Sequence, residues 1–485
     1  MRIALIHYHL QSGGVTRVIC HQLKALRAHG HQVVVLTGSP PPGDFPGAFR
    51  VVPGLQYEFV RPVIAVVELA TQMSVAAREA LGGNPDIWHV HNHSLGKSLV
   101  LPGALSVLAS QGRPLLMQIH DFAEDGRPGN FRVMLAEMAG GDREALFRLL
   151  YPRADHLHYA VLNDRDYRFL QAAGLDRQHL HLLPNPIDLG ILGETESEPV
   201  RSAAPLWLYP TRAIRRKNLG EFLLWSALAP RGSRFAVTSA PENPGEWKRY
   251  ARWKEVAADL GLPVQFEAVG PAGPSFAELL HRADAAITTS VAEGFGMAFL
   301  EPWHLGVPVC GRDLPEITAG FREEGIVLPW SYDRLEVPLS WPGREQVRTA
   351  ARRGLRSALA DYGRAPGPDD LERLLSAWIH DGRVDYGRLH EVMQEGILHR
   401  LATDHGLAID CDPVALPDPV VLHQPMAANR ALLRSRYHLA GYGAAVEQVY
   451  EHIVSSAATS LDSLDGERLL DCFLAPERLF LLRVD

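Results

Sequence analysis

The stretch Thr288-Thr289-Ser290-Val291-Ala292-Glu293-Gly294-Phe295-Gly296-Met297-Ala298-Phe299-Leu300-Glu301-Pro302 decides how the chain folds. It follows a short apolar run, Ala285 to Ile287, that reads as a strand. Two glycines and two carboxylates therefore sit where a strand turns into a helix. Such a junction exposes backbone N–H groups and favours negative charge on a ligand. A helix opened near Gly296 places Glu301 at about its second turn and leaves Glu293 in the loop before it, so the two acids can touch different parts of one ligand. A plain N-cap region with an acid early in its helix gives the same pattern.

Working outward, the same alternation of strand-like and helical runs recurs on both sides, the signature of a parallel sheet covered by helices. In the first half, strands are expected at Ile3 to Ile6, Gln32 to Leu36, Ile87 to His91, Leu115 to Ile119, Tyr159 to Leu162 and His179 to Leu183. Val15, Val18, Ile19, Leu23 and Leu26 repeat at helical spacing up to Gly30, and further helices fit near 62–81, 94–109, 143–152 and 165–173. Leu189 to Pro205 has no hydrophobic period and reads as a connector. A second series follows, with strands at Leu206 to Tyr209, Phe235 to Thr238, Val264 to Ala268, 285–289, Val307 to Cys310 and Gly325 to Leu328. The fold class is α/β: two tandem Rossmann-like domains, 1–188 and 206–335, facing across a cleft, because doubly wound sheets bind ligands outside the carboxyl ends of their strands. Residues 340–485 have helical spacing and little strand signal. They read as an α-helical extension packed on the second domain, interrupted by a proline-rich turn from Pro413 to Pro425.

Composition narrows the function. A net charge of −8 provides no global basic field for nucleic acid or an anionic membrane. The four cysteines, Cys20, Cys310, Cys411 and Cys472, lack metal-ligand spacing and fit thiols in a reducing cytosol. No apolar run reaches the roughly 18 residues of a membrane span, and Met1 leads straight into a strand without a leader, so a cytoplasmic protein is expected.

Several residues carry chemistry. Arg212 and Lys217, on the loop after the first strand of the second series, can converge on one diphosphate, the Arg as a planar fork and the Lys as a point charge. A solvated basic run, Arg212 to Lys217, is the bland alternative, and Arg215 and Arg216 are its dispensable members. Gly13 and Gly14 end the first strand and let backbone N–H groups approach phosphates, as an ordinary tight turn would also do. No Gly-x-Gly-x-x-Gly fingerprint is present, and Thr37-Gly38 stands where a dinucleotide fold has its acid, which argues against a dehydrogenase. His120 closes an apolar strand at its carboxyl edge, where binding or catalytic residues are expected; with Asp121 it could also suggest a metal phosphohydrolase, but the other ligands of such a site are not spaced recognisably. His89, His91 and His93 share one strand face and superficially resemble a metal cluster. No Asp-x-Asp divalent site is evident, so the expectation is that no metal is needed.

Ser12-Gly13-Gly14-Val15, His120-Asp121, Pro184-Asn185-Pro186-Ile187-Asp188, Thr211-Arg212 followed by Lys217-Asn218, and Glu293 to Glu301 resemble, in order, the signatures of the GT-B retaining glycosyltransferases of family 4. The resemblance covers roughly residues 1–330, and 436–453 is similar to the closing helices of that family. It implies transfer of a hexose from a nucleotide-diphosphate sugar, of the UDP-glucose or GDP-mannose type, to an acceptor hydroxyl, with retention and with no cofactor required. Glu301 would then hold the ribose. Glu293 and the amides of Gly294, Phe295, Gly296 and Met297 would hold the donor sugar, and Gly13, Gly14, Arg212 and Lys217 the diphosphate. The catalytic set implied by the resemblance would be His120, Glu293, Arg212 and Lys217, acting by position and charge rather than as a covalent nucleophile. Pro186 and Thr211 depart from the glycines usual in the family. His7, His9, Phe122 and Arg127 are acceptor candidates; no nucleic-acid or membrane partner is expected. A silent sugar-nucleotide binder and a GT-B epimerase are the alternatives.

Overall fold

The computed structural model describes residues 1–11, 13–43, 45–56, 64–187, 204–270, 273–403 and 419–484. The chain forms two compact units, 1–188 with 435–474 and 189–434 with 475–485. Ser12 and all but the last two residues of the expected connector lie outside the described residues.

The strands of the first unit are β1 (Arg2–Ile6), β2 (Gln32–Thr37), β3 (Ala48–Val51), β4 (Ile87–His91), β5 (Leu115–Ile119), β6 (Pro152–Arg153), β7 (Leu157–Val161) and β8 (Leu180–Leu182). Seven of them form a parallel sheet in the order β3-β2-β1-β4-β5-β7-β8. Every residue of β4, β5 and β7 is buried, as their near-continuous apolar runs require of a sheet covered on both faces. The second unit repeats the plan with β9 (Leu206–Arg212), β10 (Arg234–Ser239), β11 (Val264–Gln265), β12 (Ala285–Thr288), β13 (Val309–Arg312) and β14 (Trp330–Tyr332), in the parallel order β11-β10-β9-β12-β13-β14. Both sheets are thus doubly wound and Rossmann-like.

Three expectations are corrected. The strand placed at Gly325 to Leu328 falls later, at β14. Gly325 has φ +104° and stops the helix Pro315–Glu323, the amide of Ile326 returning to the carbonyl of Phe321 at 2.8 Å, while Ile326 and Leu328 are buried as loop. The region 340–485 is divided between the units rather than packed whole on the second. In the helix Leu439–Ser455, Tyr442, Val446, Val449, Tyr450 and Ile453 form one apolar stripe, which joins Ile19, Leu23 and Leu26 of the helix Gly14–Ala28 in a single core of the first unit. The proline-rich turn is in part a helix: Pro419–Arg436 begins inside it and carries Pro425 within.

With the second unit remain the helices Arg344–Ala360, Asp370–Trp378 and Glu391–Thr403, most of Pro419–Arg436, and a small antiparallel sheet that the spacing did not reveal. A buried charge cluster fastens it. Arg312 of β13 meets Glu221 and Asp385, each at 2.7 Å, and Tyr332 donates to Glu221 at 2.8 Å. Both carboxylates and all the guanidinium nitrogens have partners, which is the condition for keeping three charges out of water.

Candidate functional site

A doubly wound sheet opens a crevice where the strand order reverses, because the connections on either side leave in opposite directions. In the second unit the reversal lies between β9 and β12. The exit of β9 carries Arg212 to Lys217, and the exit of β12 carries Thr289 to Gly296, so the two most chemically loaded loops of this unit meet at one point.

The 3-10 turn Arg215–Lys217 is closed by Asn218 at φ 57°, a left-handed position that asparagine tolerates. Two interior hydroxyls pin that turn to the sheet. Thr289 donates to the carbonyls of Lys217 and Asn218 at 3.0 Å, and Tyr209 donates to the carbonyl of Lys217. Lys217 is thereby turned inward, with its side chain only 10% exposed, and its Nζ donates to Glu293 Oε1. Arg216 donates to the carbonyl of Ala292 at 2.6 Å and to Glu293 Oε2 at 3.3 Å. Burial alone would raise the Glu293 carboxyl. The charges of Lys217 and Arg216, with hydrogen bonds from Lys217 and Ser290, outweigh it and hold the group at about 2. Glu293 is therefore an ionised acceptor fixed by two cations, unsuited to give or take a proton near neutral pH.

Arg212 is placed differently. It pairs with Glu242 at 2.7 Å, and the two side chains are 46% and 67% exposed. A pair this exposed is worth little. Lys217 and Arg212 thus share a loop but not a partner. Neither Arg216 nor Arg215 is a dispensable surface residue: Arg215 holds Glu391 at 2.6 Å and the carbonyl of Val484 at 2.6 Å.

The helix expected to open near Gly296 is broken. Gly296, at φ 91°, starts a single turn, Met297–Phe299, and a four-residue helix Glu301–His304 begins anew. Pro302 requires this, since its missing N–H and fixed φ suit only a first helical turn. Glu301 is consequently the first residue of its helix and is buried. Phe295 packs edge-on against Phe321 at 5.4 Å, and a Cβ on Gly296 would stand 2.9 Å from the Phe299 ring. The loop from Gly294 to Met297 is thus held by aromatic packing.

In the first unit the order reverses between β1 and β4. Beyond β1 the helix Gly14–Ala28 starts with Gly13 as N-cap, without a side-chain cap and without an acid in its first turn. Gly14 is exposed, with nothing within 4 Å of a Cβ built on it. Beyond β4, Asn92 adopts φ 55° and its Oδ1 accepts from the amides of His120 at 2.7 Å and Asp121 at 3.1 Å. That bond aligns the exit of β5 with the exit of β4.

The His120 ring faces inward, its Nε2 2.9 Å from Nδ1 of His91. His91 Nε2 reaches Gln22 Oε1 at 3.0 Å, Gln22 donates to Gln118 Oε1 at 2.9 Å, and His89 joins Gln118 at 2.9 Å and the Tyr450 hydroxyl at 2.7 Å. Burial, tempered by the Asp121 charge, lowers His120 to about 4; burial likewise lowers His89 to about 3. His89 and His91 belong to a neutral buried network rather than to a metal cluster. Of the acceptor candidates, Phe122 is buried against Phe473 at 5.0 Å and His7 is buried with Nδ1 3.4 Å from the His91 carbonyl, so neither presents itself to a substrate. Arg127 is tied to Asp121 at 2.7 Å, and His9 is half-buried.

Gln22, Asn92, Gln118, Thr289, Tyr209 and Arg216 were missed from sequence. Only Asn92, a polar residue able to take a left-handed turn directly after an apolar strand, carried a readable signal.

Residues 12–190 match the family model described as Glycosyltransferase Family 4. A mannosylglucosyl-3-phosphoglycerate synthase from Petrotoga mobilis is 26% identical over 325 residues, 61% of this chain and 62% of its own length. The chain therefore spans less than two thirds of that relative. Among solved structures, HepE from Anabaena in complex with UDP and glucose is similar with a TM-score of 0.54 at 13% identity, covering 93% of this chain and 99% of that one. Sucrose-phosphate synthase from Thermosynechococcus elongatus gives 0.53 at 16% identity, covering 93% and 98%. At such identities these likenesses establish the fold alone.

Proposed function

We propose that this chain, whose residues 12–190 match the family 4 glycosyltransferase model and whose two sheets are Rossmann-like, is a GT-B glycosyltransferase that transfers a hexose from a nucleoside-diphosphate sugar to an acceptor hydroxyl with retention of configuration. The observation that carries this reading is the Glu293 carboxylate, buried at a sheet reversal and held ionised by Lys217 and Arg216. Departure of a nucleoside diphosphate gathers negative charge on the pyrophosphate and positive charge on the sugar. Lys217 and Arg212 supply cations for the first. Arg212 leaves Glu242 to do so, which costs little at the surface. Glu293 accepts from donor-sugar hydroxyls and, being permanently charged, favours the developing oxocarbenium without moving a proton. Glu301, at the start of its helix, accepts from the ribose hydroxyls. The uncapped start of the helix Gly14–Ala28 suits the amides of Gly13 and Gly14 to phosphate oxygens. His120, neutral and tethered to His91, positions the loop after β5 and offers no acid at neutral pH.

The test is release of nucleoside diphosphate from UDP-glucose and from GDP-mannose with a panel of acceptors. The panel should include glucosyl-3-phosphoglycerate, after the compound in the relative's name. Turnover with one donor, and an α-linked product from an α-linked donor, is expected. Donor binding without turnover across the panel would favour a silent sugar-nucleotide binder, and an inverted product would overturn the stereochemical assignment.

A further inference from the structure

Away from the loops just described, the edge of the first sheet gathers imidazoles. His158 stands near the amino end of β7, and His181 lies in β8. The register pairs Ala160 with His181, and His158 is two residues from Ala160, so both rings occupy the same sheet face. The third ring arrives from far along the chain: His452 is in the last turn of the returning helix Leu439–Ser455. One ring nitrogen from each of the three lies within 4.8 Å of the others.

We propose that His158, His181 and His452 bind one divalent transition-metal ion of the zinc type, which ties the returning helix to the edge of the sheet. Imidazole is a preferred ligand for zinc, nickel and copper, and three imidazoles leave one tetrahedral position for water. Zinc–nitrogen bonds of about 2.0–2.1 Å set ligand nitrogens about 3.4 Å apart. His158 Nδ1 and His181 Nε2 are 2.8 Å apart, so small ring rotations suffice.

The surroundings favour a ligand role over simple packing. His158 Nε2 lies 3.1 Å from the carbonyl of Asp155, to which it donates, and this leaves the Nδ1 lone pair directed at His181. A ligating histidine is commonly fixed by such a bond from its far nitrogen. The rings of His158 and His181 stack at 5.1 Å, and His452 meets His158 edge-on at 4.9 Å. Burial is graded from His158, which is buried, to His452, which is exposed, and His181 and His452 line a groove of about 540 Å³ with Asp164, Tyr167 and Gln448. An ion therefore has a route in.

The test uses untagged full-length protein stripped with chelator and titrated with Co²⁺, read by its visible d–d absorption, then with Zn²⁺ in competition and in thermal unfolding. One equivalent of Co²⁺ with tetrahedral-type bands, displaced by Zn²⁺, is expected, together with a melting temperature that rises with Zn²⁺. His452→Ala, at an exposed position that does not threaten folding, should weaken binding by more than about a hundredfold, beyond what loss of an outer-shell contact causes. His181→Gln should abolish the bands while far-UV circular dichroism stays unchanged. Absence of bands in the wild type, or bands that survive His452→Ala, would overturn the assignment. Sugar transfer is not read in this experiment, so its outcome is independent of the transferase proposal.

Discussion

Lys217→Met removes the ammonium that faces Glu293 while keeping most of the side-chain volume, so no cavity confuses the result. In the wild type the carboxyl is moved from 4.5 to about 2. That displacement corresponds to about 3 kcal/mol of preference for the ionised form, at about 1.4 kcal/mol per pH unit. Lys217 is the first of the groups that lower it, and Arg216 remains in the variant. A loss of about 2–3 kcal/mol is therefore expected, at or below the low end of what a broken buried pair costs. For a domain of this size this is a fall in melting temperature of about 4–12 °C. The pH sign follows from the lowered carboxyl. The contribution of Glu293 is complete above about pH 4.5 and fades as pH falls toward about 2, because the unfolded glutamate takes its proton first. The gap between wild type and variant, measured by urea unfolding, should narrow over that window. The double variant Lys217→Met, Glu293→Gln should recover part of the stability, since no charge is then stranded. Turnover should fall at least about tenfold in the single variant, about 1.4 kcal/mol of transition-state stabilisation, and should not return in the double. A Lys217→Met protein with wild-type stability and turnover would refute the reasoning.

Glu301→Ala should weaken binding of the nucleoside diphosphate at least about tenfold by calorimetry, as one charged hydrogen-bond acceptor is lost; unchanged binding of UDP and of GDP would remove Glu301 from the site. Arg312→Met strands Glu221 and Asp385 in the interior and should cost the second unit about 3–5 kcal/mol by chemical unfolding, an effect under 1 kcal/mol counting against the fastening role. The first unit should lose stability as pH falls from about 6.5 toward 4. His7, His89, His93 and His120 are lowered by burial to between about 3 and about 4, so the unfolded chain binds protons before the folded one does. Stability flat across that range, or His120 titrating near 6.5 by NMR, would contradict the buried network.

The legible features were those written in short range. β4 and β5 match their apolar runs to the residue, and the seven-residue spacing in the β12 loop drew attention to Glu293 and Glu301 directly. What escaped depends on partners far apart in sequence. Arg216 looked expendable because its acidic partner is no neighbour in the chain; Glu293 lies 77 residues on. Gln22, Gln118 and Tyr450 look like unremarkable polar positions until the sheet and the returning helix stack them around His89 and His91. Pro302 was visible and should have shortened the helix before Glu301, a local rule that the glycines obscured.

By itself, then, the sequence determined the alternation, the two doubly wound sheets and the identity of the charged groups on their loops, because hydrophobic period, glycine and proline act within a few residues. Only the tertiary structure decided the charge state and orientation of those groups. Burial and the approach of a counter-charge set whether Glu293 is a base or a fixed anion and whether His120 is an acid or a neutral strut, and the return of a distant helix brings His452 to His158 and His181.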